Sequence, residues 1–385
     1  MRICIITFSN SDENYGQLLQ CWSLQKTLEC FGHEVYVINY SKIYKKFSVK
    51  ILLKSLLIYP IIKKIKRCYQ ENKNSAFVSK LNEGNQKRNF DVFRKTKLHY
   101  YPIEYRSIEE LQNNPPDADC YVAGSDSIWA QILNDKNNRA YFLDFGSENI
   151  KRVSYSASFL MNEYPLKWKP ELKRLLSRFD AISVREPEGK RICSDIGCSS
   201  DIVCDPTLLL SRNEIVSTFN INEIPTKTVY VYSVNIQNKD EIRWDELKDA
   251  AEKYCYNIKV TVSSGMYPGY EIYGESVDYD YCSIEKWIDN INNSSYVVSS
   301  SFHGVVFSII METPFVYVPF KGGKERLNAR IYYLLDILGL SDRIMNEDSN
   351  FSQIMSKQID WKSVKDCLCK YRQFSLDYLK RVTSK

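Results

Sequence analysis

The chain alternates short, apolar, β-branched runs with segments whose apolar residues recur at helical spacing. Arg2–Phe8, Glu34–Asn39, Cys120–Gly124, Val153–Ser156, Ala181–Val184 and Ile202–Cys204 form a first set of predicted strands. Thr228–Val234, Ile258–Val262, Tyr296–Ser300 and Phe315–Val318 form a second. Most are apolar on both faces, the pattern of parallel strands covered by helices on each side. Alternation of this kind predicts an α/β chain of two doubly wound, Rossmann-like domains. The break falls near Leu210–Thr226, where a polar stretch precedes a new strand unit. This gives an N-terminal domain over residues 1–212, a C-terminal domain over 213–350 and a strandless helical tail over 351–385.

One segment departs from the alternation. Residues 42–97 read as a helical insertion, and Lys42 to Arg67 carries nine basic residues and no acidic one, interleaved with apolar side chains. Such a helix either packs its apolar face on its own domain or lies on an anionic membrane surface. Pro60 breaks or kinks it midway.

Length and composition add bounds. At 385 residues the chain exceeds one ordinary core, and 44% hydrophobic with 26% charged residues is the balance of a globular protein. A net charge of +5 is too mild to argue for nucleic acid. The 12 cysteines include no C-x-x-C pair, which suits buried, reduced thiols in a cytoplasmic protein. Met1 opens directly into a strand rather than an export signal, and no apolar run reaches the length of a membrane span. Metal ligation is not expected, because the three histidines are scattered and no carboxylate spacing ties them to one cation.

Candidate chemistry gathers at strand ends, where ligands bind in open α/β sheets. The run from Tyr296 ends in Ser301-Phe302-His303-Gly304, and neither His33 nor His99 has such a setting. His303 is therefore the leading proton-transfer group. Asn14-Tyr15-Gly16 follows the first strand and opens a helix; Gly16 either admits a ligand to the backbone or only relieves a tight turn, with Asn14 as cap. Gly124-Ser125-Asp126 offers backbone donors and a carboxylate that holds a hydroxyl, acts as a base or caps a helix. Arg185, in Ser183-Val-Arg185-Glu186-Pro187, either grips a carboxylate or phosphate or pairs with Glu186 or Asp205. Lys321-Gly-Gly-Lys324-Glu-Arg326-Leu-Asn328-Ala-Arg330 joins glycines and cations at a strand-to-helix junction, a credible anion site.

Taken in order, these motifs resemble the polysaccharide pyruvyl transferase family. The likeness runs through Asn14-Tyr-Gly-x-x-Leu-Gln20, Gly124-Ser-Asp-x-x-Trp129, Tyr155-Ser-Ala-Ser158, Ser183-x-Arg-Glu186, Asp205-Pro-Thr207, Ser301-Phe-His-Gly304 and Ala329-Arg330-Ile331. It implies a two-domain fold like that of GT-B glycosyltransferases, with the active cleft between domains and the tail crossing back onto the first. It also implies transfer of an enolpyruvyl-derived group from phosphoenolpyruvate to a sugar, on a polysaccharide or its lipid-linked precursor, as a cyclic ketal. No cofactor beyond that donor is implied, and the location would be cytoplasmic, at the inner face of the membrane if the basic segment binds it.

On this reading His303 and Asp126 are catalytic. Arg185, Ser301, Gly304, Arg326, Asn328 and Arg330 bind the donor, and Asn14, Tyr15, Gly16, Gly124 and Ser125 face the acceptor. Many family members read Arg-Leu-His-Gly where this chain has Ser301-Phe302-His303-Gly304, so another cation, Arg326 or Arg330, must supply the missing guanidinium. The alternatives are a GT-B-type glycosyltransferase using a nucleotide sugar, and a non-catalytic carbohydrate-binding protein.

Overall fold

A computed structural model describes residues 1–41, 83–84, 86–130, 133–236, 238–261, 272–274 and 277–384. The basic stretch Lys42–Arg67 lies outside the described residues.

The first sheet contains β1 (Arg2–Ile6), β2 (Glu34–Tyr40), β3 (Tyr100–Tyr105), β4 (Cys120–Ala123) and β5 (Lys151–Ser154), in the order β3-β2-β1-β4-β5. Every pairing is parallel, with Ile3 in register with Val35 on one side and Cys120 on the other. Two further short strands, β6 (Ser183–Val184) and β7 (Asp201–Ile202), pair in parallel beyond β5, to which the bridges Val153–Ala181 and Ala157–Val184 connect them. The second sheet contains β8 (Thr226–Tyr232), β9 (Asn257–Thr261), β10 (Asp278–Asp280), β11 (Ser294–Ser299) and β12 (Phe315–Tyr317), ordered β10-β9-β8-β11-β12 and again all parallel.

The two-faced apolar strands explain the layering. Alternate residues point to opposite faces, so Ile3 and Ile5 of β1 join one core while Cys4 and Ile6 join another. Tyr230, Tyr232 and Val297 of the second sheet belong to the same cluster as Ile3 and Ile5. Val229, Val231 and Val298 face a third cluster on the far side. One continuous apolar layer therefore joins the inner faces of the two sheets, and Tyr15, stacked on Trp287 at 5.3 Å, sits within it.

The helix Trp361–Val382 returns to the first sheet. Arg372 Nε donates to Leu208 O at 2.6 Å, Ser375 Oγ accepts from Cys204 N at 3.0 Å, and Tyr378 Oη donates to Ser154 O at 3.1 Å. No helix among the described residues is long and apolar enough to cross a membrane.

The sequence pattern misses the edge strands β3 and β10. β3 carries Pro102 and exposes its middle residues, which an edge strand tolerates because one side of its ladder is open. β10 is the three-residue Asp-Tyr-Asp, too short and polar to register as a strand.

Candidate active site

β11 ends at Ser299, and Ser299 and Ser301 turn the chain into the helix Phe302–Met311. Ser299 Oγ donates to Tyr232 O at 2.5 Å and accepts from Ser301 N at 3.0 Å. Ser301 caps the helix, accepting from Gly304 N at 3.4 Å. His303 is therefore delivered in the first helical turn, and it is 7% exposed. Gly304 is required by space: a Cβ there would lie 2.2 Å from Ser299 Oγ.

The imidazole meets the other half of the molecule at Gly16, at the start of the helix Tyr15–Cys30. A Cβ on Gly16 would stand 2.0 Å from His303 Nδ1 and 2.2 Å from Cγ. The glycine thus opens the space that the ring fills. Asn14 accepts from Gln17 N at 3.1 Å as the cap of that helix.

Behind the imidazole stands Asp205, which follows β7 and whose Oδ2 is 3.5 Å from His303 Nε2, an ion-pair distance. The same oxygen takes Arg185 Nη2 at 2.8 Å. The other carboxylate oxygen accepts from Thr207 N at 3.0 Å and Thr207 Oγ1 at 2.6 Å. Ser125 Oγ accepts from Arg185 and donates to Asp205 Oδ2 at 3.4 Å. Burial pushes the Asp205 carboxyl up, but Arg185, His303 and Thr207 together hold it well below the usual carboxylate range. It stays an anion.

Arg185 has donors to spare. Its Nε and Nη1 are buried without a hydrogen-bond partner, as is Nε of Arg330. Both guanidiniums lie over the Phe302 ring, 5.0 Å and 5.1 Å from its centroid. Burial and the neighbouring Arg185 both lower the proton affinity of Arg330, while Asp126, Glu186 and Asp205 raise it. Glu186 Oε1 accepts from Ser158 Oγ at 2.8 Å and Phe159 N at 3.1 Å, leaving Oε2 buried and unpartnered. Burial raises the Glu186 carboxyl against the pull of Arg185, Ser158 and Arg330. Two crowded cations with unused N–H groups form a place for an anion with two acidic ends.

The remaining predicted residues divide. Gly124 packs a would-be Cβ 3.0 Å from Thr7, and Asp126 adopts φ 74° with its carboxylate accepting from Ser127 N at 2.7 Å. Asp126 is within electrostatic reach of Arg330, so it lines the same region. Three expectations are corrected. Tyr15 is fully buried and donates from Oη to Cys282 O at 2.7 Å, so it joins the two halves rather than facing an acceptor. Asn328 is buried and ties the turn together: its Oδ1 accepts from Phe320 N and Tyr317 Oη, and its Nδ2 donates to Phe320 O. Arg326 sits exposed on the short turn Glu325–Leu327, whereas Arg330, in the first turn of the helix Ala329–Ile337, reaches the cluster.

Asp205 and Glu186 were not among the predicted site residues, although Asp205-Pro-Thr207 stood among the motifs. The available signal was a carboxylate directly after the predicted strand Ile202–Cys204. Among the described residues no group of three or more His, Cys, Asp and Glu side chains could hold a metal ion.

A search of curated sequences returns no match. Among solved structures, an alpha-glucosyltransferase in complex with UDP and a mismatch-containing 13-mer DNA is similar over 99% of this chain and 95% of its own, at 10% identity and a TM-score of 0.50. A UDP-GlcNAc 2-epimerase from Methanocaldococcus jannaschii is similar over 99% of each chain, at 13% identity and a TM-score of 0.48. The likeness concerns the fold alone, two Rossmann-like domains of the GT-B type. The family model for polysaccharide pyruvyl transferase matches residues 14–321, from the Gly16 loop through the His303 helix to the cationic turn, and the chain belongs to that family.

Proposed function

We propose that the protein moves the enolpyruvyl-derived group of phosphoenolpyruvate onto two hydroxyls of one sugar, forming a cyclic pyruvate ketal and releasing phosphate. The observation that carries this reading is the pair Arg185 and Arg330, with buried unused N–H groups, beside a histidine backed by a carboxylate. Phosphoenolpyruvate is a small anion with a carboxylate and a phosphate, and two fixed guanidiniums suit both ends.

The chemistry balances. C3 of the enol takes a proton, which leaves C2 electrophilic. A sugar hydroxyl forms a bond to C2 and gives up its proton. The C2–O bond to phosphate breaks with its electron pair on phosphate, and a second hydroxyl closes the ring, its proton passing to the phosphate. His303 is the acid in this scheme, toward C3 or the leaving phosphate, with the Asp205 carboxylate 3.5 Å from its Nε2. Asp126 orients or deprotonates the acceptor hydroxyl. The acceptor is a sugar of a polysaccharide or of its lipid-linked precursor.

The test is incubation with phosphoenolpyruvate and a panel of glycans. Phosphate release that depends on the glycan supports the reading. Release of a nucleoside diphosphate from a sugar nucleotide, with phosphoenolpyruvate untouched, would overturn it in favour of a glycosyltransferase.

A further inference from the structure

A separate cleft opens at the carboxyl ends of β1, β2 and β3. Its volume is about 690 Å³, within the range of ligand sites, roughly 300–1,000 Å³. Among its described lining residues Phe90 is the single apolar side chain; the others include Asn10, Asp12, Asn39, Ser41 and Glu104. Ligand pockets are ordinarily apolar with a few polar groups, so this lining selects a ligand covered in hydrogen-bonding groups.

The charges on the described lining residues are already engaged. Arg94 donates to Ser11 O at 2.7 Å and to Asp12 at 2.6 Å, and it also pairs with Asp91. Glu104 pairs with Arg106 at 2.8 Å. Among the described lining residues no guanidinium is left for an anion, which is the reverse of Arg185 and Arg330. By contrast, the Asn39 amide has no side-chain partner among the described residues, and Asn39 is in register with Glu104 across β2 and β3. An amide and a carboxylate side by side accept and donate as paired sugar hydroxyls require.

The cleft is also tied to the reaction centre. Asn10 and Asp12 belong to the loop that continues to Gly16, against which His303 packs. Gln17 Oε1 accepts from Ser11 N at 3.0 Å, and Ser11 Oγ accepts from Asn14 N at 2.9 Å. One fixed loop therefore walls the cleft on one side and seats the imidazole on the other.

We infer that this cleft is the acceptor subsite, and that it takes a neutral carbohydrate in preference to a carboxylated or phosphorylated one. The assignment to the acceptor rests on the pyruvyl-transfer reading. The test uses the full chain with lactose, cellobiose and N-acetyllactosamine as neutral probes and a galacturonate disaccharide as the acidic one. Binding is read by saturation-transfer NMR, with phosphoenolpyruvate binding followed by calorimetry on the same samples. At least one neutral disaccharide binds, the galacturonate disaccharide binds about tenfold more weakly, and Asn39→Ala and Glu104→Gln each weaken the neutral one about five- to tenfold. Phosphoenolpyruvate affinity is unchanged in both variants. Equal binding of the acidic disaccharide, no binding of any neutral one, or neutral binding untouched by both substitutions would overturn the inference. Failure of the wild-type chain to bind phosphoenolpyruvate would instead contradict the transfer reading, so the two failures are told apart.

Discussion

Gly16 and His303 share one volume: the imidazole Nδ1 stands where a Cβ on residue 16 would be, 2.0 Å away. The two residues come from different sheets, so the absence of a side chain at one fixes the ring at the other. Gly16→Ala must therefore displace His303 or part the two halves. We expect turnover to fall about 10²-fold or more, the low end of what positioned acid–base help supplies, with the thermal melt shifted far less. Kinetics and melting on the same sample check this; retained turnover would show that the contact does not position the ring.

His303→Gln keeps a polar side chain of similar reach but no proton to exchange near neutral pH. Phosphate release should fall about 10²–10⁴-fold while the affinity for phosphoenolpyruvate changes little. The split between rate and binding, measured by single-turnover kinetics and calorimetry, separates an acid from a donor ligand.

The guanidiniums give a contrasting pattern. Arg185→Lys keeps the charge but loses the planar fork, and Arg330→Lys does the same on the other flank of Phe302. Each should weaken phosphoenolpyruvate binding about tenfold or more. Arg326→Ala, at an exposed turn, should leave that affinity unaltered. Calorimetric titration of the three variants checks the assignment.

Asp205 predicts an acid limb in stability. Its folded carboxyl is held below the unfolded value, so the unfolded chain binds the extra proton and stability rises with pH across that interval. The contribution is complete above the ordinary carboxylate value, about 4, and is lost progressively as pH falls below it. Denaturant melts of Asp205→Asn and wild type between neutral pH and pH ~3 should converge as pH drops. A gap that stays constant would mean the carboxylate is not held anionic by Arg185 and His303.

Much of this was legible in the sequence because strand ends carry their own signals. The apolar run to Ser299 followed by Ser301, His303 and Gly304 announces a strand whose end presents a histidine, with a helix behind it; that Ser301 caps the helix comes from the structure. The importance of Gly16 was not legible, since a turn glycine and a glycine facing an imidazole look alike until the two sheets are brought together. Asp205 stood in the sequence as one of two partners offered to Arg185, the one the structure shows, but its approach to His303, from another element, was not legible. Arg326 and Arg330 were equivalent in sequence, and only the phase of the helix from Ala329 turns Arg330 toward Phe302.

The central claim is tested most directly with phosphoenolpyruvate carrying carbon-13 at C2, incubated with an accepted glycan in heavy water. The account predicts one quaternary ketal carbon bonded to two oxygens of the same sugar, one deuterium in its methyl group, and stoichiometric phosphate, all formed about 10²-fold or more slowly with His303→Ala. A labelled carbon that remains in phosphoenolpyruvate while the glycan gains a sugar from a nucleotide donor would contradict it.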